Sequence, residues 1–264
     1  MDMHFYADYI GKQIFRFLTY INQSMQLSIE SFMVVLKMRW YTRPAVYHVV
    51  VRQTYFTGVQ SLGWIVGIGI LAGLAVYNIV HFAQNIHDLT LIGTLLGHVL
   101  LQEFAPILIS IFLLIRSGVA VVTELGNIQA RGEPRLLASM GIPPVEYLYM
   151  PRLFGFALSG LILTFTFALV AVWVGGAVVS LTKTLPFSEY LLEVRSGIEF
   201  LDLVSMVLKS IFYPVIIVLV LMNQGGKVGN DPNQIPIRAT AGMLMALTFV
   251  CVVDVFFLLI QSLL

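Results

Sequence analysis

Residues 116–152 read RSGVAVVTELGNIQARGEPRLLASMGIPPVEYLYMPR, a charged stretch punctuated by glycine and proline between two long apolar runs. A link between two membrane spans needs only a short turn, so a polar block of this length predicts a surface presented to a partner in water. The apolar run before it continues past Arg116 through SGVAVVTELG. Gly126, Gly132 and the pair Glu133-Pro134 mark breaks, Pro134 suits the first turn of a new helix, and Gly141 suits its end. Pro143-Pro144 then prevents helix, and Pro151 restarts the chain into the next run. The pattern is helix, elbow, short helix, turn, helix.

Composition fixes the setting. Of 264 residues, 58% are hydrophobic and 11% charged, and the mean hydropathy is +0.89. Soluble domains carry about 25% charged residues, so this is the composition of a membrane protein. A net charge of +1 gives no argument for a nucleic-acid partner. The single cysteine, Cys251, lies in an apolar run and forms no intrachain disulfide. The opening MDMHFYADYIGKQIF lacks the pattern of a cleavable signal peptide.

A helix crosses the hydrocarbon core with about 20 apolar residues. Five stretches qualify: 58–82, 91–122, 153–182, 203–223 and 239–262. The second and third are long enough to tilt or to extend beyond the bilayer. Lys12, Arg16, Lys37, Arg39, Arg43 and Arg52 precede the first span. Arg116, Arg131, Arg135 and Arg152 surround the central block, and Lys227 and Arg238 separate the last two spans. The opposite side holds Lys183, Arg195 and, at a span edge, Lys209. The positive-inside rule therefore places the N-terminus and the central block in the cytoplasm and the C-terminus outside. Residues 1–50 read as an amphipathic interfacial helical segment with its bases toward anionic headgroups, or as a packed helix without membrane contact. The loop 183–202 reads as short helices resting on the outer surface. The expected fold is all-α: an interfacial helix, then a domain over 51–264 with five transmembrane helices and a coupling segment at 123–150.

Several residues stand out inside the spans. Glu103 is an acid within an apolar helix, so it faces protein or a water-filled cavity, either lining a substrate path or bonding a neighbouring helix. Pro106 frees backbone carbonyls nearby and predicts a kink or a widening. His98 lies only loosely on the same side. Tyr77 reads as a cavity-mouth residue or an interfacial tyrosine, and Asp254 as a second acid in a buried structural contact. Arg116 is expected to snorkel or to pair with an acid. Gly63–Gly67, Gly69–Gly73 and Gly93–Gly97 have the small-xxx-small spacing of close helix contacts, within one chain or in a homodimer. No GxxxxGK[ST] and no HExxH occur, and Ser117 has no nearby histidine, so neither a nucleotide-binding loop, a zinc protease nor a serine hydrolase is indicated. His81, His87 and His98 show no metal spacing.

The stretch 116–152 closely resembles the signature of the MlaE family, permeases of ABC transporters that work with MCE proteins. The pattern GR-x-G-x-x-x-x-AELG-x-M-x-x-TEQ matches at Arg116, Gly118 and Glu124-Leu125-Gly126, with Met140-Gly141, Pro144 and Pro151-Arg152 following in register. QEFAP at 102–106 resembles the family's RELGP, with Gln102 in place of its arginine. Arg131-Gly132-Glu133 stands where the family has TEQ. The resemblance implies a homodimeric permease in a Gram-negative inner membrane, with a cytoplasmic ABC ATPase dimer, a periplasmic MCE hexamer and a STAS-domain protein as partners. It implies phospholipid as cargo, maintenance of outer-membrane lipid asymmetry, and ATP bound by the partner rather than by this chain, which then carries no cofactor. Glu103, Gln102, Leu74 and Tyr77 match the lining of the family's lipid cavity between two copies, and Glu124, Arg131, Glu133 and Arg135 fall where the ATPase couples. Another hydrophobic cargo, such as a sterol or an organic solvent, or a non-transporting scaffold role, fits the same block.

Overall fold

The computed structural model describes residues 44–85, 93–182, 185–229 and 231–261, and all regular structure among them is helical. Backbone amides in lipid have no water to bond, so apolar runs of this length close their hydrogen bonds within helices. Helix α1 (Pro44–Thr57) is followed by a single 3-10 turn (Val59–Ser61) and α2 (Leu62–Asn85). Helix α3 runs over Leu95–Ala130, α4 over Glu133–Ser139, α5 over Met150–Leu181 and α6 over Phe187–Ser196. Helices α7 (Phe200–Gly226) and α8 (Ile235–Gln261) are the last helices among the described residues.

Five segments are long and apolar enough to cross a membrane: Tyr47–Phe82, Leu95–Ala130, Tyr147–Leu181, Phe200–Gly226 and Pro232–Gln261. They coincide with the five expected spans but reach further at most ends. The first gains most, because α1 is helical well before residue 58 and packs on α5. The amphipathic segment expected over 1–50 lies outside the described residues except for the start of α1.

Helix α5 is the hub, packed against α1, α2, α3 and α7. Its Phe156, Leu163 and Phe167 are fully buried with Ile109 and Leu113 of α3 and Tyr213 of α7. Close approach is set by glycines where a side chain would collide. Pro214 inside α7 leaves the Ser210 carbonyl without its helical donor. That bulge is admitted by Gly160 of α5, where a Cβ would lie 2.4 Å from the Pro214 ring and 2.5 Å from the Ser210 oxygen. Helix α8 packs chiefly on α7 and α3 and leaves most of its apolar surface uncovered among the described residues.

Helix α6 lies on the bundle with one face buried, at Tyr190 and Val194, and the other exposed, as expected of a short helix in 183–202. Tyr190 is fully buried and its hydroxyl donates to the Val172 carbonyl at 3.2 Å. Burial pushes that hydroxyl well above its ordinary pKa, which keeps it a donor. The turn after α6 presses Gly197 onto Gly93 and Gly97 at the head of α3. Gly93–Gly97 and Gly69–Gly73 thus make contacts within the chain, the latter against Val170 and Val174 of α5, whereas a Cβ at Gly63 or Gly67 would meet open space.

The central stretch forms its elbow at Gly132, which has φ +70°, a left-handed conformation suited to glycine. Pro134 lies in the first turn of α4, and Gly141 at φ +72° follows its end. Gly126 is not a break. It sits inside α3, where a Cβ would come within 3.0 Å of both Ile235 and Val228, so its role is close packing.

Candidate functional site

Two groups of polar residues occupy different levels of the bundle. The first lies among α3, α7 and α8. Helix α3 widens into π-helical turns over Leu95–Phe104 before Pro106, which has no amide hydrogen to donate, and such widenings concentrate at functional positions. Glu103 projects from the end of this segment. Its Oε2 lies 2.5 Å from Lys209 Nζ of α7, and Lys209 Nζ is also 3.8 Å from Asp254 Oδ1 of α8. Tyr213 donates its hydroxyl to the same Asp254 oxygen at 2.6 Å. The ammonium stands 5.8 Å from the Phe257 ring centroid. Lys209 is fully buried, Asp254 16% exposed and Glu103 24% exposed, so Glu103 is the open end of the cluster.

An ammonium inside an apolar helix is tolerated only with anionic partners close by. Here one lysine serves two carboxylates on two other helices, so the cluster ties three spans together. Asp254 makes the buried structural contact expected of it. Glu103 bonds a neighbouring helix and keeps part of its carboxylate open, so both readings of that residue survive in its geometry. Lys209 was not legible as the partner, because a lysine near a span edge is ordinarily a snorkelling residue.

Gln102 points elsewhere. It is buried, and its Oε1 lies 2.6 Å from His98 Nδ1. His98 Nδ1 is also 3.1 Å from Asp202 Oδ1, and Asp202 accepts the Glu199 amide at 2.9 Å in the capping box that opens α7. Gln102 therefore belongs to a polar link between the head of α3 and the head of α7. Leu74 is 46% exposed on the outer face of α2. Tyr77 is half-buried, packs on the cluster around Val76 and Val80, and stands 6.0 Å from the His81 ring.

The second group lies at the elbow. Arg152, almost fully buried at the head of α5, has its guanidinium 2.8 Å from Glu124 Oε2, so the two ends of the central stretch meet. Arg152 also donates to the Leu148 carbonyl. Arg131 and Glu133 form a looser, exposed pair at 3.7 Å. A cavity of about 810 Å³ between α1, α3, α4 and the head of α5 has Glu124 and Glu133 in its wall together with Arg52, Arg116 and Arg152. Arg131 and Arg135 instead line a smaller hollow of about 170 Å³ with Gly132 and Pro134.

Among the described residues Arg116 takes no acid as partner. It reaches across to the junction between α1 and α2, donating to the Phe56 carbonyl at 2.7 Å, the Ser61 hydroxyl at 2.6 Å and the Gln60 amide oxygen at 3.2 Å. The reason is local. The helix is interrupted at Gly58, where a Cβ would lie 2.8 Å from Ser159 Oγ, and the interruption leaves carbonyls in need of a donor.

A helical protein with five candidate spans, ionisable side chains tied together in its interior and a charged elbow at one end has the build of a transport permease. Comparison with known families makes that class specific. The family model "Permease MlaE" matches residues 50–260, and the chain belongs to the MlaE permease family. It is also similar to the "Intermembrane phospholipid transport system permease protein MlaE" of Haemophilus influenzae. The two are 25% identical over 182 residues, covering 66% of this chain and 68% of that protein.

Proposed function

We propose that this chain is the membrane permease subunit of an ATP-driven phospholipid transporter in a bacterial inner membrane. On this reading it exchanges lipid with a periplasmic MCE protein and so maintains the lipid asymmetry of the outer membrane. The family match over residues 50–260 carries the reading, and the name of the Haemophilus relative supplies the cargo class. The sequence contains no GxxxxGK[ST], which supports a separate ATPase dimer as the subunit that binds and hydrolyses ATP. Helix α4 and its flanks, with Glu124, Arg131, Glu133 and Arg135, are the surface assigned to receive that ATPase. The distribution of lysine and arginine supports a cytoplasmic position for this surface and the N-terminus and a periplasmic one for the C-terminus.

Two copies of the chain would enclose the lipid cavity, with a hexameric MCE ring above and a STAS-domain protein accompanying the ATPase. Glu103, Gln102, Leu74 and Tyr77 are assigned to the lining. The outward face of α2 supports this assignment, since Leu74 is uncovered in a single chain and Gly63 and Gly67 leave room for a second helix. The partly open carboxylate of Glu103 supports it as well.

Reconstituted in proteoliposomes with the ATPase encoded beside it and an MCE acceptor, the chain is expected to transfer labelled phospholipid only while ATP is hydrolysed. Glu103→Ala and Leu74→Trp are expected to slow that transfer. Failure to bind the ATPase, or transfer of a sterol or an organic solvent in place of phospholipid, would overturn the reading.

A further inference from the structure

The cluster at Glu103 holds two carboxylates for one ammonium. Lys209 Nζ lies 2.5 Å from Glu103 Oε2 but 3.8 Å from Asp254 Oδ1, so its short contact goes to Glu103. Tyr213 donates a hydrogen bond to Asp254 at 2.6 Å and adds no charge. Counted formally, the cluster is one cation short. The second oxygen of Glu103, Oε1, receives no hydrogen bond from any described residue, and it is not sealed in the interior, because 24% of the side chain stays exposed.

On the three helices of the cluster no other base makes up the difference. The nearest, His98, has its Nδ1 turned to Gln102 and Asp202. Gln102, which stands where the family has arginine, is buried and brings no charge. The next bases are Arg116 beyond Glu103 on α3, Lys227 past the end of α7 and Arg238 at the start of α8. At ~1.5 Å per residue they lie about 20, 27 and 24 Å along their helices from Glu103, Lys209 and Asp254. The surroundings are apolar: Phe257 stands 5.8 Å from the ammonium, and Phe212 packs on Phe257 at 6.3 Å. Away from water a carboxylate attracts a cation more strongly than at an open surface.

A ligand that completes this cluster brings a positive charge able to donate a hydrogen bond, attached to hydrocarbon. An ethanolamine phospholipid has both. A choline headgroup has the charge without an N–H to donate, and a glycerol headgroup has no positive charge. Resting on the reading of Glu103 as a lining residue of the lipid cavity, we propose that Glu103 selects the cargo by its headgroup. Its open Oε1 accepts the primary ammonium of an ethanolamine phospholipid, while Lys209 keeps Oε2 and Asp254 adds the second negative charge.

The test is competitive lipid retention by the full chain in detergent, read by native mass spectrometry without ATP or partners. Phosphatidylethanolamine, phosphatidylcholine and phosphatidylglycerol with identical acyl chains are offered in equal amounts, and glycerophosphoethanolamine serves as the headgroup without hydrocarbon. Phosphatidylethanolamine is expected to be retained about tenfold over the other two, the size of one charge-assisted hydrogen bond. Glu103→Gln is expected to bring the three lipids to parity. Asp254→Asn, which leaves one carboxylate for one ammonium, is expected to lose part of the tenfold preference; a merely structural role for either acid would lower retention of all three lipids alike.

Equal retention of the three lipids by the parent chain would overturn headgroup selection and leave phospholipid as the cargo, whereas retention of none would overturn both. A full preference surviving in Glu103→Gln, or in Asp254→Asn where Glu103→Gln does not fold, would also overturn the selection. So would equally tight binding of glycerophosphoethanolamine, which would mark a site for a free amine.

Discussion

Lys209 of α7 holds Glu103 of α3 at 2.5 Å, and the same ammonium lies 3.8 Å from Asp254 of α8, so one fully buried cation is the electrostatic centre of three spans. Removing one partner from a buried pair leaves an uncompensated charge and costs about 3–5 kcal/mol. Lys209→Met is therefore expected to be the most damaging single change in the cluster, because it strands two carboxylates. Glu103→Gln is expected to cost less, since the amide oxygen still accepts the ammonium's hydrogen bond. The triple variant Lys209→Met, Glu103→Gln, Asp254→Asn is expected to regain most of the loss. Thermal unfolding in detergent measures all three, and a triple variant no more stable than Lys209→Met would show that packing, not charge pairing, governs the site.

The head of α3 gives a steric prediction. A Cβ on Gly197 would lie 2.1 Å from the Gly93 carbonyl carbon, a backbone atom that cannot rotate aside. Gly197→Ala is expected to destabilise by about 1–3 kcal/mol, the range for overpacking a close contact. Gly63→Ala, whose Cβ meets open space, is expected to change the stability of a single chain by less than about 0.5 kcal/mol. Paired melting curves check both, and equal losses would contradict the packing described for the two glycines.

Arg116 gives a prediction about local opening. Its guanidinium fork serves the Phe56 carbonyl, the Ser61 hydroxyl and the Gln60 amide at once, which a lysine cannot reproduce. Arg116→Lys is expected to cost about 1–2 kcal/mol and to speed amide exchange at residues 58–62, where the helix is already interrupted. Faster exchange spread evenly over α1 and α2 would instead indicate a global loss.

The spans were legible because a long apolar run in lipid has one way to satisfy its backbone. Their ends were not. Residues 47–57 mix His48, Arg52 and Gln53 with apolar side chains, and their helix is stabilised by packing on α5, which no local pattern records. Gly132 announced itself as a break through the Glu133-Pro134 that follows, whereas Gly126, equally a glycine, is a contact point with residues about a hundred positions away. The acids Glu103 and Asp254 were visible as anomalies, but Lys209 is 106 residues from Glu103, and spacing rules do not join groups on separate helices. In the link from His98 to Gln102 and Asp202, the first pair has the ordinary i, i+4 spacing of a helix face, whereas Asp202 lies on another helix and is likewise beyond the reach of spacing rules.

The elbow separates coupling from stability. Arg131 and Glu133 are exposed, and their 3.7 Å pair is of the kind that contributes little to folding. Arg135 is also exposed. Arg131→Ala and Arg135→Ala are therefore expected to leave the melting temperature of the chain unchanged. If α4 receives the ATPase, the same substitutions are expected to weaken its binding and to lower lipid transfer per ATP hydrolysed. Glu124→Gln is a different case, because Glu124 neutralises the buried Arg152 at 2.8 Å, so it is expected to lower stability and transfer together. Measuring unfolding and coupled transport on the same three variants checks the distinction. A loss of stability in Arg131→Ala would place that arginine in the fold, and unimpaired transfer in Arg131→Ala and Arg135→Ala would move the ATPase contact away from α4.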